Sequence, residues 1–286
     1  MPVSAENVRS LQPFDYRVLL SLERWMEQYR WVPEEILKSS TLLGEGELQY
    51  RLRRLITMGM IRRGNVSYGG YALVFAGYDA LALHALTGKG TVRALGPFIG
   101  EGKESVVYEG LGLGPLVCKF HRVGQRSFQS ARKDRGYLPT RGHFPWIFAS
   151  ARSAEKEFSA LQLLYPGISV PMPIDRNRHV LVMSLVHGSM MNRVILEHPE
   201  KTLSSILGMV RKAFSLGVIH GDLSEFNVMI GEDDAVVLID WPQWESATHP
   251  NAVDLLRRDI ANITGYFQRK YGVSRTVDAA VAEVTG

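Results

Sequence analysis

A chain of 286 residues, 45% hydrophobic and 22% charged, has enough sequence for one large or two smaller folded domains and lies far from the composition of unfolded chains. Thirty-three Lys and Arg against 29 Asp and Glu leave a net charge of +4, a mild pull toward a polyanionic partner. The single cysteine excludes an intrachain disulfide and any multi-cysteine zinc or iron-sulfur site, and fits a reducing, cytoplasmic setting. No run approaches the ~18 apolar residues that cross a bilayer, and the first eleven residues lack the basic start and apolar stretch of a leader. The expectation is a protein that is neither secreted nor membrane-spanning.

From residue 14 to about 61, apolar residues recur at three- and four-residue steps, as in Leu48, Leu52, Leu55 and Ile56, which predicts helices. Pro33 is expected in the first turn of a second helix over 32–37, with Gly44 and Gly59 where helices stop. The turn-rich stretch 64–71 reads as a short hairpin before the apolar 72–75. Three helices followed by a hairpin is the order of a winged helix-turn-helix module, here residues 1–85. Its third helix carries Arg51, Arg53 and Arg54, with Arg62 and Arg63 just beyond and only Glu47 opposing them. Such a run suits nucleic-acid phosphates, and it suits a solvated helix face equally well.

A helical stretch over 79–86 leads to a boundary at 87–90, after which short apolar runs (106–108, 116–120, 180–186, 235–239) mix with helical stretches near 151–164, 201–216 and 251–268. The fold class is α+β, with a second domain over 91–286.

Three segments of that domain carry chemistry. Gly100-Glu101-Gly102-Lys103-Glu104-Ser105 runs straight into Val106 and its strand; glycines admit a close backbone approach to phosphate, and a plain hairpin turn would look the same. A Walker P-loop is excluded, because a glycine would be needed at Pro97 and a hydroxyl residue at Glu104. Lys119 then stands inside an apolar strand, which demands an anionic partner; phosphates and a helix carboxylate would serve, with Glu157 the candidate and Glu155 the fallback. Cys118 reads as a small buried hydrophobe. Finally, Asp222, Asn227 five residues later and Asp240 eighteen residues later offer a base for a hydroxyl acceptor and hard oxygens for Mg²⁺ on ATP.

Gly-x-Gly-Lys-Glu-Ser at 100–105, His-Gly-Asp-Leu-Ser-x-x-Asn at 220–227, Ile-Asp-x-Pro-Gln at 239–243 and the winged helix together resemble the RIO-type atypical serine/threonine protein kinases, second subfamily, over nearly the whole chain. The resemblance implies a compact bilobal protein-kinase-like domain, its N-lobe over about 91–183 and its C-lobe over about 187–286. It implies ATP and Mg²⁺ or Mn²⁺ as cofactors, Lys119 on the ATP phosphates paired with Glu157, Asp222 as catalytic aspartate, and Asn227 and Asp240 as metal ligands. Asp240 would also be the site of a phosphoaspartate, making the enzyme an ATPase as much as a kinase. Adenine would meet Met183, the carbonyl of Ser184 and the amide of Val186. Two departures stand out. Trp241 replaces the usual Phe, which should alter packing behind the metal site, and Ser184 occupies a hinge position where Glu is common. By the kinase analogy His220 supports the catalytic loop from behind.

Residues 119–143 hold seven cations against Asp134, a balance of +6, and read as a mobile loop near the nucleotide site. The family counterpart engages the preribosome and can carry an autophosphorylated serine, here Ser127, while Arg132, Lys133 and Arg135 suit RNA phosphates. The implied partner is the precursor of the small ribosomal subunit, its rRNA and ribosomal proteins, and the missing long C-terminal tail points to an archaeal, cytoplasmic form. Two rivals share some of these features: a small-molecule phosphotransferase of the aminoglycoside or choline type, which also carries His-Gly-Asp and Ile-Asp-Trp, and a winged-helix DNA-binding regulator with a kinase-like module.

Overall fold

The computed structural model describes residues 5–124 and 145–286. These form two compact units: the described residues up to Ala154 together with Asp175–Val182, and Glu155–Ile174 together with Met183–Gly286.

The first unit opens with α1 (Ala5–Ser10), α2 (Pro13–Trp25), β1 (Val32–Pro33), α3 (Glu34–Thr41), α4 (Glu45–Thr57), β2 (Ile61–Arg63) and β3 (Gly70–Leu73). The strands form a sheet in the order β1-β3-β2 under a core of Val18, Leu19, Leu22, Leu37, Leu52 and Leu55, a winged-helix arrangement. Two expectations need correction. Residues 32 and 33 are strand, with Val32 opposite Tyr71 and Pro33 opposite Gly70; a β-branched residue buried in the sheet and a proline at a strand edge outweigh the helical start. The helix α3 ends at Leu42, in the left-handed conformation (φ 54°), while Gly44 caps the start of α4.

Next comes α5 (Phe75–Gly88), apolar on most of its circumference apart from the buried Asp79 and the exposed His84, and buried on more than one side. Tyr78, Ala80 and Leu81 join the winged-helix core, whereas Ala82, Leu83 and Leu86 join a second core with Leu116, Cys118, Phe120, Val180 and Val182. That second core underlies a five-stranded sheet of order β4-β5-β6-β8-β7, built from β4 (Ala94–Glu101), β5 (Ser105–Leu111), β6 (Pro115–His121), β7 (Pro173–Asn177) and β8 (Val180–Ser184). The edge strand β4 was not expected. It contains Pro97 and shifts register against β5 between Leu95 and Gly100, irregularity that only an edge tolerates and that erases the period of two.

In the second unit, most of α6 (Trp146–Leu164) precedes two small sheets. One has the order β12-β11-β9 and the other pairs β10 with β13, the strands being β9 (Ser189–Met190), β10 (Val218–Ile219), β11 (Val228–Ile230), β12 (Val236–Leu238) and β13 (Glu245–Ser246). Three helices, α7 (Pro199–Ser215), α8 (Ala252–Tyr271) and α9 (Val277–Thr285), bury Ile206, Leu207, Ile260, Ile263, Phe267 and Ala280. Among the described residues no helix is long and apolar enough to cross a membrane.

Candidate active site

In the second unit, the β11–β12 hairpin brings distant residues of the sequence together. Val228 pairs with Leu238, so Asn227, just before β11, meets the chain just beyond β12, and the Asn227 carbonyl accepts from Ile239 N at 3.0 Å. The Asn227 Nδ2 donates to the Asp222 carbonyl at 2.8 Å, which fixes the amide with Oδ1 as its remaining donor atom for a cation. Asp240 follows at φ 67°, a left-handed conformation that aspartate adopts more readily than most residues. Such backbone is held only where its surroundings dictate it. The surroundings here are Trp241, 1% exposed, whose amide donates to Glu157 Oε1 and whose indole donates to the Leu238 carbonyl, both at 3.3 Å. The His220 ring lies 4.3 Å from that indole, and its Nε2 donates to the Ile239 carbonyl at 3.1 Å. His220 thus braces the Asp240 segment, and of the two candidate glutamates Glu157 is buried while Glu155 is exposed.

Asp222 itself is exposed, with Gln243 Nε2 donating to its Oδ2 at 3.3 Å. Its loop hangs from one residue absent from the sequence-based candidates, Asp259 of α8. The carboxylate of Asp259 accepts from Gly221 N at 2.7 Å and from Leu223 N at 3.0 Å, flanking Asp222 on both sides. Arg258 donates to the Gly221 carbonyl, and Asn262 to the Leu223 carbonyl at 3.1 Å. Gly221 sits at φ +79°, where a Cβ would lie 2.4 Å from the Gln243 carbonyl oxygen; only glycine fits. Burial pushes the Asp259 carboxyl up to about 6, against the pull of its two amide hydrogen bonds. The one signal that could have revealed this residue is a carboxylate on the apolar stripe of Leu256, Ile260 and Ile263.

In the first unit, Gly100 and Glu101 are the last residues of β4, paired with Val107 and Val106, so the turn proper is Gly102-Lys103-Glu104, closed by Gly102 N donating to the Ser105 carbonyl at 2.8 Å. Lys119, 5% exposed, lies on β6 opposite Val107. Burial drives the neighbouring Cys118 thiol up to about 12, consistent with a packing role. In the second unit, Ser184 N donates to the Met172 carbonyl and Met172 N donates to Ser184 Oγ, both at 2.9 Å, so this serine ties two segments of backbone. Met183 and Val186 are partly buried beside it.

Comparison with known proteins agrees with this arrangement over almost all of its length. A family model described as the RIO domain matches residues 104–280, and one described as the Rio2 N-terminal region matches residues 8–89. The RIO-type serine/threonine-protein kinase Rio2 of Methanocaldococcus jannaschii is 38% identical over 258 residues, 87% of this chain and 94% of that one. The chain belongs to the Rio2 family of RIO-type serine/threonine-protein kinases. The Schizosaccharomyces pombe kinase rio2 is 34% identical, over 92% of this chain and 78% of its own. Among solved structures, that of the Chaetomium thermophilum Rio2 kinase in its ADP/Mg²⁺-phosphoaspartate complex superposes with a TM-score of 0.84 at 30% identity, covering 98% of this chain and 89% of that one. Membership of the Rio2 family decides between the kinase and the aminoglycoside- or choline-type phosphotransferase.

Within the Rio2-type N-terminal module, the arginine-rich helix departs from expectation. Arg51 is buried, its Nε donating to Glu47 Oε1 and its Nη1 to Gln12 Oε1, both at 2.6 Å, and its Nη1 also pairs with Asp15 Oδ1 at 3.3 Å. Arg54 donates to the Ser10 carbonyl at 2.6 Å and pairs with Asp15 Oδ2 at 3.3 Å. The phosphate-contact expectation therefore fails for Arg51, whose charge is consumed inside the module, and Arg54 is committed largely to the same acid. Arg53, Arg62 and Arg63 are exposed. Of the seven cations counted over 119–143, Lys119 and Arg122 are buried; Ser127, Arg132, Lys133 and Arg135 lie outside the described residues.

Proposed function

We propose that this Rio2-family chain is an ATP- and Mg²⁺-dependent serine/threonine kinase with ATPase turnover, acting in the cytoplasm on the precursor of the small ribosomal subunit. The observation that carries the catalytic part is the linked set Asp222, Asn227 and Asp240: two hard oxygen donors for a cation and a base, tied at the mouth of one hairpin by the Asn227 side-chain amide on the Asp222 carbonyl and by the amide of Ile239, next to Asp240, on the Asn227 carbonyl. Asn227 Oδ1 and the Asp240 carboxylate would hold the metal, which when bound neutralises charge on the nucleotide phosphates. Gly100 to Val106 and Lys119 hold the phosphates, with Glu157 as the carboxylate partner of the lysine, and Met183, Ser184 and Val186 receive adenine. Asp222 orients the attacking hydroxyl and accepts its proton.

Asp240 takes the γ-phosphoryl group in a first step: a carboxylate oxygen bonds to phosphorus as the bond to the bridging oxygen breaks, and ADP leaves. Water or a serine hydroxyl then takes the phosphoryl group from Asp240. The Chaetomium thermophilum complex, with its phosphoaspartate, supports this order. For the ribosomal role, support comes from the resemblance to the second RIO subfamily and from the cation-rich stretch containing Arg132, Lys133 and Arg135, with Ser127 as the autophosphorylated serine and rRNA and ribosomal proteins as contacts.

Incubation with labelled ATP tests the proposal. The expected result is label on the protein itself, of which the aspartyl fraction withstands acid and is lost to hydroxylamine while phosphoserine resists it, all of it absent from Asp240→Ala. Label transferred to kanamycin or choline, or label unchanged in Asp240→Ala, overturns it. Asp222→Ala should keep nucleotide affinity while turnover falls by roughly tenfold or more, and neutralising Arg132, Lys133 and Arg135 together should weaken RNA association with little change in basal ATPase.

A further inference from the structure

The first unit contains a buried charged cluster that the chemistry above does not use. Asp79, in the middle of α5, is 1% exposed; its Oδ2 accepts from Arg122 Nη2 at 2.7 Å and its Oδ1 meets His179 Nε2 at 2.7 Å. Arg122 is 5% exposed and lies over the Phe75 ring at 4.7 Å. His179 is fully buried and stacks on Tyr78 at 4.6 Å. Burial draws the His179 imidazole down to about 4, so it is neutral near pH 7 and donates its Nε2 proton to Asp79, whose carboxyl the two partners hold below its ordinary range despite burial. The backbone repeats the connection: His121 N donates to the His179 carbonyl at 2.9 Å, and Arg122 N donates to the Glu104 carbonyl at 2.6 Å.

That last bond gives the cluster a direction. Glu104 belongs to the turn between β4 and β5, Ser105 pairs with His121, and Arg122 stands three residues beyond Lys119 on the same run of chain. Ion pairs as deep as this are no better for stability than packed apolar side chains, but their geometry is directional, and this one fixes the end of β6 against a helix whose other face belongs to the winged-helix core. We propose that Asp79 and Arg122 are positioning residues for nucleotide, through which the last helix of the N-terminal module sets the height of the Gly102-Lys103-Glu104 turn; this rests on the reading of that turn and Lys119 as the phosphate site. Neither side chain touches the nucleotide. Their removal loosens the turn and weakens ATP binding while leaving the chemical step intact.

The test is steady-state ATP hydrolysis by the full chain as wild type, as Asp79→Asn and as the double variant Asp79→Leu with Arg122→Met, each checked by its melting temperature. In both variants KM for ATP should rise by about fivefold or more with kcat within about twofold, and amide exchange at 104–106 should quicken. The double variant removes both charges, leaves no orphan ion and roughly conserves the combined volume, the His179 Nε2 proton being the one group that loses its partner, so it decides the matter if Asp79→Asn fails to fold. A folded double variant with wild-type KM reduces the cluster to a structural pair and overturns the proposal. A folded wild type that neither binds nor hydrolyses ATP overturns the phosphate-site reading, and the proposal falls with it; an active wild type isolates the two failures.

Discussion

Asp79 in the first unit and Asp259 in the second are both about 1% exposed and both on helices; Asp79 holds the side chain of Arg122, three residues beyond Lys119, and Asp259 holds the backbone on either side of Asp222. Their ionisation differs. Asp79 faces a guanidinium and an imidazole and is held ionised, whereas Asp259 is met at hydrogen-bond distance by the amides of Gly221 and Leu223 and rises to about 6. Partial charges on two amides offset less desolvation than a full cation does. The carboxylate nearer to Asp222 is therefore the one that titrates close to physiological pH, while the one behind the glycine turn stays ionised throughout.

The largest effect expected from this contrast is in turnover. Asp259→Ala leaves two inward-facing donors unsatisfied, at about 1 to 3 kcal/mol each, and frees the loop that aims Asp222. A displacement on the order of 1 Å reduces rates by about two orders of magnitude, so single-turnover hydrolysis should fall by about 100-fold with a smaller change in ATP affinity. Equal losses in both would mean that Asp259 supports the fold without aiming the loop. In the N-terminal module, Asp15 plays the part of Asp79: fully buried, it is paired with Arg51 and Arg54. Asp15→Ala should destabilise that module by about 3 to 5 kcal/mol, read from urea unfolding followed by amide exchange within the module. A loss below about 1 kcal/mol would show the pair to be no stronger than one at the surface.

Acid sharpens the comparison by its sign. The Asp259 pKa is raised from 3.8 to about 6, so its contribution to stability is fully present below 3.8 and lost as pH rises through about 6. His179 is lowered from 6.5 to about 4; its contribution is present above 6.5 and lost as pH falls toward 4. Between those limits the two slopes oppose each other, each about 1.4 kcal/mol per pH unit, and the share of stability they govern should be nearly flat. Asp259→Asn removes one of them, so that variant should lose about 1.4 kcal/mol per unit on acidification while wild type does not. Identical slopes for the two proteins would place the Asp259 titration elsewhere. Turnover should fall in wild type as pH drops through about 6, because a protonated Asp259 no longer accepts from both amides.

How much of this was legible beforehand depends on whether the signal was local. The offsets from His220 to Asp240 lie in one stretch of chain, and a β-hairpin with a short connection leaves little freedom in where Asn227 and Asp240 meet; the motif carried its own geometry. The winged-helix order was readable from periodicity and turns for the same reason. Asp259 was not readable, since its partners are 36 and 38 residues earlier and a single acid on an apolar stripe has many explanations. Nor were Asp79, Arg122 and His179, whose partnership spans 100 residues. The arginine run misled in the opposite sense. Charge density in sequence does not say which side of a helix faces Asp15, and i to i+3 spacing puts Arg51 and Arg54 on the buried side while Arg53 faces outward.

That division of one run into inward and outward arginines supplies the smallest effect and a direct check on the module's partner. Arg53→Ala removes an exposed side chain from the outer face of α4 and should change stability by no more than about 0.5 kcal/mol, in contrast to the loss expected at Asp15. If α4 lies against phosphates of small-subunit rRNA, the same substitution should lower the slope of log affinity against log salt by about 0.7 to 0.9, the share of one contact. Arg62→Ala and Arg63→Ala on β2 should behave alike if the strand shares the surface, although Arg62 also lies 5.0 Å from the Trp31 ring and its loss should carry a small packing effect. Filter binding of a small-subunit rRNA fragment across a salt series measures all three. An unchanged slope for Arg53→Ala would remove α4 from the phosphate-binding surface and leave Arg62 and Arg63 to account for any affinity the N-terminal module shows.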